Sequence, residues 1–87
     1  MTKIKGKHTR TLAALFAPPT PGGLIFAELE ALIAALGGEV REGEGSRVVF
    51  ELHGERYYLH RPHPGKEAKR YQVRAVRAFL ESLGIEP

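Results

Sequence analysis

Apolar residues at Ile25, Leu29, Leu32, Ile33 and Leu36 recur three or four positions apart, which makes one stripe along a helix beginning near Phe26. Gly37-Gly38 supplies the left-handed C-cap that ends it. The period then changes. After a short strand over residues 39–41 and a Gly-rich turn at 43–46, Val48, Phe50 and Leu52 alternate with Arg47, Val49 and Glu51. Tyr57 and Leu59 alternate in the same way with Arg56, Tyr58 and His60. His53-Gly54 between these runs reads as a two-residue hairpin turn. That turn pairs Leu52 with Glu55, Glu51 with Arg56, Phe50 with Tyr57, Val49 with Tyr58, Val48 with Leu59 and Arg47 with His60. One face then holds Val48, Phe50, Tyr57 and Leu59 as core, and the other holds Arg47, Glu51, Arg56, Tyr58 and His60 against water.

A last helix over residues 70–83 gathers Val73, Val76, Leu80 and Leu83 on one side with Phe79 beside them, and Gly84 closes it. Arg70, Arg74 and Arg77 lie on its opposite side. Near the start, residues 10–16 (RTLAALF) predict two helical turns, stopped by Pro18, Pro19 and Pro21. Residues 1–23 thus read as a basic N-terminal extension with a short helix and a Pro/Gly linker, and residues 24–87 as one α-β-β-β-α domain. The expected class is α+β: a three-stranded antiparallel sheet with two helices packed on one face, leaving its second face open.

Eighty-seven residues and 43% hydrophobic content suit one small folded domain. The absence of cysteine rules out a disulfide framework and a thiolate metal site, and fits a cytoplasmic protein. The basic start MTKIKGKHTR has no long apolar run after it, so it does not read as a secretory signal, and no segment is long enough to span a membrane.

Net charge is only +3, but it is unevenly placed. Residues 1–10 carry four Lys/Arg and no acid; residues 11–55 set seven glutamates against Arg41 and Arg47. Residues 56–77 then hold seven Lys/Arg and one acid, Glu67. Two imidazoles, His60 and His63, sit inside this field. Fixed cations attract phosphate, and histidine exchanges protons near neutral pH, so RNA is the ligand the segment suits. RNA cleavage without metal needs a base for the 2′-hydroxyl proton and an acid for the leaving oxygen, and histidine can do either task. Arg47, Arg61 and Lys66 are placed to stabilise charge building on the phosphate oxygens. Tyr58 is the tyrosine best placed to stack on a base. The alternative is that His60 is only a strand residue, His63 only a turn residue and the charge only a solvated face.

Other chemistries find less support. His60-x-x-His63 has a spacing usable by a metal, yet no nearby Cys or Asp completes a ligand set and the surrounding cations oppose a dication. No metal and no small-molecule cofactor is expected. The chain has no Asp, no G-x-S-x-G elbow, no P-loop and no dinucleotide fingerprint. His8 reads as part of a solvated tail and His53 as a turn residue.

Taken in order, LGGEV after the first apolar helix, GEGSRVVFELHG, YYLHRPHPGKEAK and the closing FLESLGI resemble the HicA family of toxins from toxin–antitoxin pairs. The resemblance covers about residues 25–85. It implies a fold like a double-stranded-RNA-binding domain, metal-independent mRNA cleavage, and a HicB-type antitoxin that covers the active face. The family places its catalytic histidine directly after a Gly-Ser pair; here Gly45-Ser46 is followed by Arg47, and an arginine is no general base at neutral pH. The resemblance therefore assigns His60 as first candidate for proton transfer, His63 as second, and Arg47 as transition-state cation. Ser46, Arg56, Tyr58, Arg61, Lys66, Lys69 and Arg70 complete the expected RNA contacts. Two rivals stand beside it: a non-catalytic RNA-binding module of the same fold, and a basic module that docks an acidic protein.

Overall fold

The structure, a computed structural model, describes residues 4–87; Met1, Thr2 and Lys3, the start of the basic segment, lie outside the described residues. Helix α1 (Gly6–Phe16) leads to α2 (Phe26–Ala35), then strands β1 (Glu39–Glu42), β2 (Arg47–Leu52) and β3 (Glu55–His60), and finally helix α3 (Arg70–Ser82). The strands form one antiparallel sheet in the order β1-β2-β3. The fold is α+β, with its helices packed against one face of the sheet.

Turn chemistry fixes the sheet register. His53 and Gly54 both have positive φ, 52° and 81°, as a two-residue hairpin turn of the favoured hand requires. All six expected β2–β3 pairs follow, from Leu52 opposite Glu55 to Arg47 opposite His60. Strand β1 sets Val40 opposite Phe50, so its Val40 joins the inner face.

Both sheet-facing helices end as their glycines predict. At α2, the Gly37 N–H donates to Ala34 O and the Gly38 N–H to Ile33 O, with Gly37 at φ 93°. A Cβ on Gly38 would meet Glu51 O at 2.5 Å, so β1 can enter the sheet there only through glycine. At α3, Gly84 and Ile85 repeat the pattern on Glu81 and Leu80, and Ile85 is buried.

Leu29, Leu32 and Ile33 of α2, Val73, Val76 and Leu80 of α3, and Val48, Phe50 and Leu52 of β2 are essentially fully buried in one cluster. Tyr57 is only partly buried and stacks on Phe79 at 5.8 Å between ring centres, which ties β3 to α3.

The N-terminal helix is longer than its apolar letters predict. It starts at Gly6 rather than near Arg10, so His8 belongs to a helix and is half-buried instead of lying in a loose tail. Thr11 Oγ1 donates back to Lys7 O at 2.9 Å and Thr9 Oγ1 to Ile4 O at 3.2 Å, local side-chain-to-backbone bonds within the first turns. Leu12 and Leu15 bury into the common core, and α1 packs on both α2 and α3. No helix among the described residues is long and apolar enough to cross a membrane.

Candidate functional site

Antiparallel pairing brings the start of β2 and the end of β3 to one corner of the sheet. Arg47 and His60 are direct partners there, and directly opposite residues on one face hold their Cβ atoms about 4.5–5.5 Å apart. The ladder continues one step further, since the Arg61 N–H donates to Ser46 O at 2.8 Å. Arg47 and His60 are exposed on the open face, and Ser46 is exposed in the turn before β2. The Arg47 side chain lies across Gly43, where a Cβ would meet its Cδ at 3.2 Å, so the turn's lack of a side chain leaves room for it.

Beyond His60 the chain turns through Pro62, His63 and Pro64 to α3, and the His63–Pro64 peptide bond is cis. His63, Lys66 and Lys69 line an open groove of about 410 Å³ with the two prolines and Glu67. The far end of this loop is pinned to the segment before α2. The Ala68 N–H donates to Leu24 O at 2.6 Å, and the Phe26 N–H donates to Lys66 O at 2.9 Å.

Two side chains that sequence reasoning passed over hold the corner together. Gln72, only 3% exposed, accepts from the Lys69 N–H at 3.0 Å and donates to the His60 carbonyl at 2.7 Å. Its amide therefore couples the start of α3 to the strand end that carries His60. Glu30 on α2 receives both Arg61 Nε and Nη2 on one oxygen, at 3.0 and 2.7 Å. Glu42 of β1 lies 3.4 Å from Arg61 Nη1. The Glu30 carboxylate, with Glu42 behind it, raises the Arg61 guanidinium above its ordinary value. These contacts tie Arg61 and the loop start to α2 and β1.

Arg56 is also engaged, donating from Nε to Glu51 at 2.5 Å, with Arg41 on the other oxygen of the same carboxylate at 3.1 Å. The Arg56 hydrogen bond, aided by Arg41, holds Glu51 below the usual carboxylate range despite some desolvation. Arg47, Lys66, Lys69 and Arg70 form no ion pair among the described residues. Arg70 instead packs over the linker, where its Nε lies 3.4 Å from Thr20 O. Tyr58, 57% exposed, stands on the open face next to this corner. Among the described residues no three His or Glu side chains converge as metal ligands.

A small α+β domain results, with a rigidly tethered, cationic, imidazole-bearing corner at one end of an open sheet face. The family model for the HicA toxin of bacterial toxin–antitoxin matches residues 26–85, and the chain belongs to that family. Membership places it on the toxin side of a toxin–antitoxin pair. No curated protein and no solved structure matches it.

Proposed function

We propose that the chain is a metal-independent endoribonuclease toxin that cleaves mRNA in the cytoplasm, neutralised by a HicB-type antitoxin seated over the basic face. The observation that carries this reading is the pairing of Arg47 with His60 beside a loop whose Lys66 and Lys69 have no carboxylate partner among the described residues. His60 takes the proton from a 2′-hydroxyl, and the 2′-oxygen attacks the neighbouring phosphorus. His63 protonates the departing 5′-oxygen as the P–O5′ bond breaks, so the products carry a 2′,3′-cyclic phosphate and a 5′-hydroxyl. Arg47 stabilises the extra negative charge on the phosphorus oxygens, its fixed guanidinium being suited to that and not to proton abstraction. Lys66, Lys69 and Arg70 hold the flanking phosphates, Tyr58 stacks on a base, and Ser46 and Arg56 border the strand's path.

The test is the end chemistry of the products. Purified, antitoxin-free protein in excess chelator should convert labelled RNA to fragments with cyclic-phosphate and 5′-hydroxyl termini. A requirement for added metal, or 5′-phosphate and 3′-hydroxyl ends, overturns this chemistry. A second reading, RNA binding without cutting, is favoured by one observation: the position after Gly45-Ser46 is an arginine. It predicts salt-sensitive binding and intact RNA in the same assay.

A further inference from the structure

Helix α1 lies outside the family-matched residues 26–85, yet Leu12 and Leu15 anchor it in the core, so its outer side chains hold set positions. Between α1 and the first turns of α2 runs an open groove of about 460 Å³. Lys7, His8 and Arg10 line its α1 side, and Glu28 is the one carboxylate along it. Helix α1 contains no acidic residue, and Lys7 and Arg10 form no ion pair among the described residues. Ala14, Ala27 and Ala31 contribute small side chains to the groove, and Leu24 is its one large apolar residue among those described. The exposed large hydrophobic residues among the described residues, Tyr58 and Tyr71, do not line the groove, so it lacks the aromatic anchors that concentrate binding energy in protein interfaces.

The groove is joined to the candidate site. Leu24 lines it, and the Leu24 carbonyl accepts the Ala68 N–H from the loop that carries Lys66 and Lys69. Two sets of unmatched cations therefore flank one short segment, residues 24–26. A flexible polyanion with regularly spaced charges can follow both, whereas a compact anion can meet only one.

We propose that the α1–α2 groove is a second RNA-binding site, in which Lys7 and Arg10 contact phosphates of the strand that extends beyond the cleavage corner. The proposal rests on the reading of the chain as RNA-directed and adds a site on residues outside the family span. It is tested by binding of a short and a long single-stranded RNA across a salt series, using the full chain, K7Q/R10Q, and R74Q/R77Q as an equal-charge control on α3. Wild type should bind the long RNA more tightly than the short one, and K7Q/R10Q should lose that gain. With about 0.7 units of log–log salt slope per phosphate contact, two lost contacts flatten the slope by about 1.4. A fourfold rise in salt then costs K7Q/R10Q about sevenfold less affinity than wild type. Equal losses in both double variants reduce the effect to net charge and overturn the site. So does unchanged RNA binding by K7Q/R10Q, including the case where that variant has instead lost affinity for an acidic antitoxin. If wild type binds neither RNA at any salt, the failure belongs to the RNA-directed reading itself. Matching circular dichroism and melting curves for the three proteins exclude unfolding as the cause.

Discussion

Gln72 shows how much one buried polar side chain can organise. It falls four residues before Val76 on the apolar stripe of α3, a position where a helix facing a core ordinarily carries a hydrocarbon. Its buried amide bridges the Lys69 N–H and the His60 carbonyl through two part-buried hydrogen bonds. Q72A should cost about 1–3 kcal/mol in chemical denaturation, the range for leaving buried polar groups unpaired. A cost near zero contradicts the bridging role. The sequence held a signal, a polar letter on an apolar stripe, but nothing local named its partners. Arg61 is a harder case: its charge placed it with the phosphate-binding cations, and the Glu30 that engages it stands 31 positions earlier on another element. Long-range ion pairs of this kind leave no periodic trace.

At the level of elements, legibility follows how local the determining interaction is. The β2–β3 register was readable because a two-residue turn permits one pairing and both faces then sort by polarity. The ends of α2 and α3 were readable because a glycine at positive φ closes each. Helix α1 was only half readable. Its first turn carries Lys7 and His8, not apolar letters, and it is helical because Leu12 and Leu15 dock the whole element on α2 and α3. Leu15 is fully buried, so L15A should destabilise the protein by about 2–5 kcal/mol, read from equilibrium urea unfolding. A loosely attached extension would instead lose no more than about 0.5 kcal/mol, as surface substitutions do.

Across the whole molecule, the fold separates opposite charges that the chain carries in blocks. The glutamates of α2 and the sheet pair with Arg41, Arg56 and Arg61, while Arg47, Lys66, Lys69 and Arg70 form no ion pair among the described residues. The imidazoles of His60 and His63 lie beside that unpaired set, and both are exposed. Imidazoles among unpaired cations are the combination that the proposed RNA cleavage needs. The sequence displayed the basic block and both histidines, but the partition into engaged and unengaged cations depended on tertiary pairing. The central claim is that His60 performs proton transfer and does not merely decorate a binding face. It is tested most directly by measuring cleavage and binding of one labelled RNA, in excess chelator, for wild type and H60A. The account predicts that wild type cuts, and that H60A binds within a few-fold of wild type but cuts at least about 100-fold more slowly. Cleavage by H60A at the wild-type rate would contradict it.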